Sequence, residues 1–339
     1  MSNLSLAREE KAVSFRDSRK WKFISLFIFG LLVVTAFLLG NSLGTMEINI
    51  SRIFQVLFND DGSSARLVIW DIRLPRMIVA ALVGINLALA GAMLQGVMSN
   101  PLADPTIIGI SAGAGLVGIV ILILFPEYQL LVPIAAFIGA MGAAILIYIL
   151  AWKGGIQPLR IILAGVAVAA FLGAGISALM VFYSDRVHGA LTFMNGSLSA
   201  RSWPDVATIL PYSIIGVGAA LFMSERLNIL ILGDDTARGL GLNVEVTRMG
   251  LTAVAALLAA SAVSVVGLLG FVGLIIPHSA RLMLGNNYRF LFPGSALLGA
   301  AVVMFSDTLA RTAFSPTEIP VGIVMAVLGA PFFLYLLRR

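Results

Sequence analysis

The sequence contains no cysteine and only two histidines, and charged residues make up 12% of its 339 residues. The absence of cysteine excludes disulfide bonds and thiolate metal ligands, although it leaves the cellular compartment open. A phosphate-binding P-loop requires a lysine directly after a glycine, and none of the four lysines follows one. We therefore expect that this chain does not hydrolyse ATP itself, and we expect neither a bound cofactor nor a metal site.

Hydrophobic residues, by contrast, make up 59% of the chain, and the mean hydropathy is +1.00. Many uncharged stretches approach or exceed the roughly 20 residues that an α-helix needs to cross about 30 Å of hydrocarbon. The sequence therefore predicts an all-α polytopic membrane protein with ten transmembrane helices. The predicted spans are residues 21–39, 77–103, 105–126, 128–152, 161–184, 206–224, 290–306 and 319–337, with two further spans inside residues 249–284.

Two of the apolar segments could be assigned in more than one way from length alone. Residues 21–39 follow a basic tail and could be a secretory signal, but the apolar part is long for that, so we interpret it as a retained first span. Residues 249–284 would form a helix of about 54 Å, which is too long for one crossing. Gly267, Gly270 and Gly273 provide a place to turn, so we predict a hairpin of two spans.

The distribution of basic residues predicts the orientation, because cytoplasmic flanks are enriched in Lys and Arg. With the N-terminus inside, inner segments carry 15 basic residues and outer segments carry 7. Both termini and the polar insert at residues 224–248, here called the insert, are then cytoplasmic. We predict a cytoplasmic tail at residues 1–20 and a transmembrane domain at residues 21–339. The net charge of +5 is explained by this topology, and a nucleic-acid partner has no support.

The insert has the pattern of a short capped helix. Asp234 or Asp235 can cap it and complement its positive N-terminal end, and Gly239 and Gly241 can stop it. A second helix is predicted to run through Val244. The insert is either an amphipathic helix at the membrane surface or a docking element for a partner.

Small residues recur every four positions in the fifth predicted span. Gly165, Ala169, Gly173 and Ser177 form this stripe, and Met180 continues nearly the same face. Such a stripe is typical of tight helix packing in lipid. The alternative interpretation is that it forms the wall of a transport pathway.

Arginines on the predicted outer side run against the usual charge distribution. Arg73 and Arg76 flank Pro75 before the second span, and Arg311 follows Asp307 by one helical turn, close enough for an ion pair. These arginines are either interfacial residues with a local ion pair or a cationic platform for an acidic partner.

Several motifs resemble those of the FecCD-type permeases, the membrane subunits of ABC importers for iron siderophores, haem and cobalamin. They are IRLPR at 72–76, NPLADPTIIGIS at 100–111, LGDDTARGLG at 232–241, GFVGLIIPHSAR at 270–281, SDTLAR at 306–311, and EIPVGI with LGAPFF near the end. The match covers nearly the whole chain in the right order. It is much less specific for the substrate.

The resemblance implies a permease subunit with ten helices that pairs with a second permease, a cytoplasmic ABC ATPase dimer and an extracytoplasmic substrate-binding protein. Arg73, Arg76 and Arg311 match arginines that meet acidic residues of the binding protein. Residues 234–241, with Asp234, Asp235, Ala237, Arg238, Leu240 and Gly241, match the helices that couple to the ATPase. The fifth span, Asn195 and Gly196 match the pathway wall and its outer gate.

The sequence departs from the family pattern at two places. Phe193 stands where the family often has Trp, and residues 286–289 replace a more usual acidic, histidine-containing turn. Within the family, we expect an iron(III)-siderophore as the cargo, with haem or cobalamin as alternatives. A secondary transporter is a weaker alternative because ionisable residues cluster near the span ends, and an intramembrane hydrolase would lack a nucleophile and a base within reach.

Overall fold

The computed structural model describes residues 18–44, 46, 48–59, 62–106, 109–152 and 158–338, and over these residues it contains helices and turns with no β-strand. Most of the predicted N-terminal tail therefore lies outside the described residues. The helices are α1 (Arg19–Ser42), α2 (Ile50–Phe58), α3 (Ser64–Val97, π-helical over Val68–Arg73), α4 (Ile110–Leu124), α5 (Val132–Ala151), α6 (Pro158–Phe182), α7 (Val187–Asn195), α8 (Trp203–Leu230), α9 (Asp234–Gly239), α10 (Val244–Val266), α11 (Val272–Leu284), α12 (Tyr288–Thr312) and α13 (Val321–Leu337).

Seven of the described helices are long and apolar enough to cross a membrane: α1, α3, α5, α6, α8, α10 and α12. Three shorter apolar helices, α4, α11 and α13, correspond to the remaining predicted spans. The all-α fold is thereby confirmed. That all ten helices cross the membrane stays a prediction, because α4 and α11 have only 15 and 13 residues.

The predicted division of residues 249–284 into two helices is confirmed, whereas a membrane crossing by each of them stays a prediction. α10 ends at Val266, α11 begins at Val272, and Gly267 between them has a φ of +80°. A Cβ at Gly267 would lie only 2.2 Å from the carbonyl oxygen of Phe193. Glycine is therefore required here both for the backbone conformation and for the close approach of α7.

α3 lies at the centre of the bundle and packs against α8, α10, α11 and α12. The backbones approach closely because glycines face each other across the helix pairs. A Cβ at Gly84 would lie 2.2 Å from the carbonyl oxygen of Gly299, and one at Gly91 would lie 1.9 Å from that of Gly273. Small residues thus bring α3 into direct contact with α12 and α11, as expected for helices packed in lipid.

Two short helices, α2 and α7, are not among the predicted spans. α2 buries Ile53 and Val56 on one face, while Ile50, Phe54 and Phe58 are exposed on the other. α7 follows α6 after one turn and ends at Asn195. Both are too short to cross the hydrocarbon, so a search for long apolar stretches does not detect them.

Candidate functional site

The insert folds into a short helix, a glycine turn and the beginning of a long helix, as the sequence predicts. α9 is followed by Gly241 with a φ of +80°, and α10 begins at Val244. The prediction of an aspartate cap was wrong, because the N-cap is Gly233, whose φ of +101° favours glycine. Asp234 and Asp235 instead lie in the first turn of α9, where their charge complements the positive end of the helix.

One face of the insert is fixed to the helix bundle. The Asp234 carboxylate accepts hydrogen bonds from Arg248 Nη2 at 2.9 Å and from Nη1 at 3.3 Å. The Arg248 side chain is only 5% exposed, and Ala237 on the buried face of α9 is 0% exposed. The ion pair therefore joins α9 to the first turns of α10 in a partly desolvated position.

The opposite face of the insert is open. The Asp235 side chain is fully exposed, the Arg238 side chain is 54% exposed, and Leu240 is 61% exposed. Arg238 lies 3.7 Å from carboxylate oxygens of Asp235 and Glu245, and exposed pairs at this distance contribute little to stability. This face therefore presents charged side chains beside an exposed leucine.

Two of the three predicted platform arginines are buried and bonded to backbone carbonyls of α1. Arg73 Nη1 donates to the carbonyls of Asn41 at 2.7 Å and Ser42 at 3.0 Å. Arg311 donates from Nη2 to the carbonyl of Gly40. Residue exposures of 3% for Arg73 and 8% for Arg311 show that these side chains hold α1, α3 and α12 together.

The third arginine, Arg76, binds two carboxylates. Its Nε and Nη2 donate to both oxygens of Asp307 at 2.9 Å, and its Nη1 donates to Glu318 at 2.9 Å. Asp307 thus pairs with Arg76 on α3, and the predicted ion pair between Asp307 and Arg311 is not formed. The Asp307 side chain is 1% exposed and that of Glu318 is 40% exposed, so the network runs from the interior to the surface.

The residues of the predicted pathway stripe are packed more tightly at one end of α6 than at the other. Gly165 is buried, and its carbonyl oxygen would lie 2.9 Å from a Cβ at Gly109, so this end packs tightly against the start of α4. Further along, no neighbouring atom lies within 4 Å of a Cβ built at Gly173, and Ser177 is exposed. Ala169 and Met180 are half-buried. The pathway role of the stripe stays a prediction.

Asn195 and Gly196 lie where α7 meets the ends of three other helices. The Gly196 carbonyl accepts a hydrogen bond from the amide of Gly322 at the start of α13, and a Cβ at Gly196 would lie 2.6 Å from the carbonyl oxygen of Leu268. The exposed side chain of Asn195 lines a groove of about 470 Å³, here called the Asn195 groove. The segment predicted as a gate therefore connects α7, α10, α11 and α13.

Two carboxylates with structural contacts, Glu318 and Asp104, were not among the predicted site residues. Glu318 belongs to the EIPVGI motif, but nothing in its spacing indicates Arg76, which lies 242 residues away. Asp104 belongs to NPLADP, whose two prolines, asparagine and aspartate are typical of a simple turn between helices. Its Oδ1 accepts hydrogen bonds from the amide and hydroxyl of Thr106, and burial raises the pKa of the Asp104 carboxyl despite these hydrogen bonds.

A comparison with known families gives a match to the FecCD transport family over residues 31–339. The chain belongs to that family. The resemblance seen in the motifs is thereby confirmed, and the chain is a multi-pass protein of the cell membrane.

Individual relatives match this FecCD protein over most of its length. It is 40% identical to the Fe(3+)-citrate import system permease protein YfmD of Bacillus subtilis (strain 168), over 93% of this chain and 92% of that protein. It is 44% identical to the cobalamin import system permease protein BtuC of Halobacterium salinarum, over 81% of this chain and 74% of that protein. The solved structure described as "An inward-facing conformation of a putative metal-chelate type ABC transporter" has a TM-score of 0.82, 29% identity, and coverage of 92% of this chain and 98% of that one.

Proposed function

We propose that this chain is the permease subunit of an ATP-driven ABC importer and that it carries an iron(III)-siderophore complex into the cytoplasm. The observation that carries the proposal is the family match over residues 31–339. The iron cargo is supported by the 40% identity to a ferric citrate permease over nearly the full length of both chains. A cobalamin permease is 44% identical over a shorter part of the chain, which keeps cobalamin as the second candidate, with haem as a third family cargo.

The proposed topology has ten membrane crossings with both termini in the cytoplasm. Seven long and three shorter apolar helices among the described residues support this number. The excess of basic residues in the predicted inner segments supports the orientation. In this arrangement, residues 1–20 are a cytoplasmic tail, residues 21–339 are the permease domain, and the insert at 224–248 lies on the cytoplasmic side.

A cytoplasmic ABC ATPase dimer is the proposed partner of the insert, and hydrolysis of ATP takes place on those separate subunits. Asp235, Arg238 and Leu240 are the exposed groups that would enter a cleft of the ATPase. Asp234 is held by Arg248, so a displacement of α9 is passed to α10 instead of being absorbed in a loose loop. ATP-driven closure of the ATPases then tilts the helices and exposes the pathway alternately to the two sides.

The charge reversal Arg238→Glu tests this coupling at α9, and Arg226→Glu is its control because Arg226 is also exposed but lies on α8, before the α9 part of the insert. We expect Arg238→Glu to reduce ATPase binding and uptake, and Arg226→Glu to leave both largely intact. ATPase pull-down and uptake into proteoliposomes are the measurements. Normal coupling by Arg238→Glu would show that α9 is not the contact.

A second permease subunit, identical or related, would complete the pathway along α6. The helix exposes Phe171 and Phe182 by 78% and 80%, so a large apolar surface is available to another helix or to lipid. Gly173→Trp provides the test, because no atom of this subunit lies within 4 Å of a Cβ built at Gly173. Gly142→Trp on α5 is the control, because a Cβ built there is equally free of contacts. Loss of uptake only in the Gly173 variant, with the complex still assembled, would support a pathway wall, and normal uptake would favour packing.

An extracytoplasmic substrate-binding protein is the proposed partner at the arginine cluster. Arg73, Arg76 and Arg311 carry three positive charges against two carboxylates, Asp307 and Glu318, so the cluster retains a net positive charge. Because the arginine side chains are buried, their net positive charge would attract an acidic partner mainly by long-range electrostatic attraction. Salt screens this attraction over about 8 Å at physiological ionic strength. In protein that thermal unfolding shows to be folded, reversal of Arg73 and Arg76 should weaken docking at low salt, and unchanged affinity there would contradict the proposal.

Reconstitution of the full importer decides the cargo. The purified permease, ATPase and binding protein are placed in proteoliposomes, and uptake of iron(III)-siderophore is measured in competition with haem and with cobalamin. We expect iron(III)-siderophore to compete most strongly and uptake to require the ATPase. Uptake that persists without any ATPase would overturn the importer proposal and favour an ion-coupled secondary transporter.

A further inference from the structure

Two cavities meet at Phe271 in the turn between α10 and α11. The first is the Asn195 groove, lined by Asn195 of α7, Leu268 of the turn, and Gly322, Ile323 and Ala326 of α13. The second is a cavity of about 270 Å³, here called the Asp104 cavity, lined by Asp104, Thr106, Leu274 and Phe333. Gly270 and Phe271 line both cavities, so this short segment is the partition between them.

The two cavities follow each other along α13. The groove residue Ala326 and the cavity residue Phe333 are seven positions apart, which corresponds to about 10 Å of helix. Gly329 lies between them in sequence and is buried. A Cβ at Gly329 would lie 2.3 Å from Cγ of Phe271, so the aromatic ring packs directly on the backbone of α13 at the boundary.

The backbone of Phe271 is in an unusual conformation. Its φ is +68°, in the left-handed region that a bulky side chain rarely adopts. Such backbone strain is maintained only where the surroundings fix it, and it concentrates at functional positions. Here the position of the ring at the boundary is maintained although a glycine would fit the backbone better.

The segment that carries Phe271 is bonded to the segment that carries Asn195. The amide of Leu268 donates to the carbonyl of Phe193 at 2.9 Å, and the amide of Ser197 donates to the carbonyl of Val266 at 2.8 Å. A movement of residues 193–197 therefore displaces the turn that positions the aromatic ring.

The Asp104 cavity has a polar group beyond the ring. Asp104 is 2% exposed, and both of its described hydrogen bonds, from the amide and hydroxyl of Thr106, end on Oδ1. Its Oδ2 lies at the start of α11, 2.8 Å from a Cβ built on Gly273. Asp104 and Thr106 are thus the two polar residues in the lining that a solute passing Phe271 would meet.

We propose that the Asn195 groove and the Asp104 cavity are successive parts of the transport path and that the Phe271 ring is the barrier between them. This proposal rests on the proposed function as a permease. Phe271 lies in the GFVGLIIPHSAR motif, to which the sequence assigned no role in transport. The proposal places this residue in the path, where the strained backbone holds its ring between the two cavities. Opening requires the ring to leave its position against Gly329.

The absence of cysteine allows a direct test in the assembled transporter, because any introduced thiol is the only one in this chain. Leu274→Cys places a thiol in the Asp104 cavity, and Ala326→Cys places a control thiol in the Asn195 groove. The probe is the membrane-impermeant cation 2-(trimethylammonium)ethyl methanethiosulfonate, added outside right-side-out proteoliposomes. The measurement is the rate of thiol modification.

We expect slow labelling of Leu274→Cys and fast labelling of Ala326→Cys. Adding Phe271→Gly removes the ring at a position where glycine suits the backbone. It should accelerate labelling at residue 274 by on the order of tenfold, equivalent to a barrier lowered by about 1.4 kcal/mol, without changing the rate at residue 326. Gly329→Ala should also accelerate it, because the added methyl group displaces the ring. This second variant keeps the test decisive if Phe271→Gly fails to fold.

Equal labelling rates at residues 274 and 326 with Phe271 present would overturn the proposal, and so would an unchanged rate at residue 274 in a folded variant without the ring. Labelling needs neither cargo nor ATP. A negative result with normal uptake of iron(III)-siderophore would therefore refute the barrier alone, whereas a positive result without uptake would leave the barrier intact and contradict the proposed cargo or coupling.

Discussion

Asp307 and Glu318 bind the same arginine, but we expect Asp307 to contribute far more to stability. The two near-isosteric substitutions Asp307→Asn and Glu318→Gln each remove one negative charge next to Arg76. The Asp307 side chain is 1% exposed, and breaking such a buried pair costs roughly 3–5 kcal/mol. Asparagine keeps one acceptor and Arg76 keeps Glu318, so we expect the lower end, about 3 kcal/mol.

Glu318 is 40% exposed, so water screens its interaction with Arg76. Exposed pairs contribute about 0–1 kcal/mol, and we expect Glu318→Gln to cost less than about 1 kcal/mol. The assay is equilibrium unfolding in mixed detergent micelles, followed by the fluorescence of the four tryptophans. The free energies of unfolding of both variants are compared with that of the unchanged protein.

Replacing both members of the buried pair provides an internal check. The double variant Arg76→Met with Asp307→Leu removes the desolvation cost of both charges, so it should be more stable than Asp307→Asn alone. Equal destabilisation by Asp307→Asn and Glu318→Gln would refute the distinction between the buried and exposed ends of the network. A large effect of Glu318→Gln alone would place the dominant interaction at the surface.

Three further predictions concern single positions. Burial raises the pKa of Asp104, so the folded state holds this proton more tightly, and stability should fall as the pH rises through the interval between the ordinary and the raised pKa. Asp104→Asn should flatten that pH profile of the unfolding midpoint and increase stability at neutral pH, and an unchanged profile would contradict this. Gly196→Ala should destabilise by about 1–3 kcal/mol because Gly196 has a φ of +66°, whereas Gly189→Ala within α7 should stabilise by up to about 1 kcal/mol, as measured by thermal unfolding. Gly91→Ala should lower the yield of folded protein, because its Cβ would lie 1.9 Å from a carbonyl oxygen of α11. Gly30→Ala on α1 is the control, because no atom lies within 4 Å of a Cβ there, and equal yields of the two variants would refute the contact.

The helices of the bundle could be predicted because hydrophobicity in a membrane is a local signal. Long apolar stretches correspond to α1, α3, α5, α6, α8, α10 and α12, and the length limit of one crossing correctly divided residues 249–284 at Gly267. The short helices α2 and α7 could not be found in this way. The exposed face of α2 repeats at every fourth residue, Ile50, Phe54 and Phe58, and this spacing is the signal that could have revealed it.

The contacts of the candidate site were less predictable because they join distant parts of the chain. A basic residue next to a predicted outer loop can face water or turn inward, and the sequence does not distinguish the two. Arg76 turned inward because Asp307 lies beside it in space, 231 residues away in sequence. The helical tip of the insert, by contrast, depends on neighbouring residues, and its bounds agree with the predicted glycine stops.

The length and continuity of α10 determine how a force applied at the insert reaches the far end of the helix. Its 23 residues form an unbroken rod of about 34 Å, with the Arg248 ion pair near one end and the Gly267 contact with Phe193 at the other. A rigid rod that pivots within the bundle works as a lever, so a displacement at the ion pair moves the far end by an amount set by the position of the pivot. Lengthening or kinking this one helix would uncouple its two ends while leaving each of them intact.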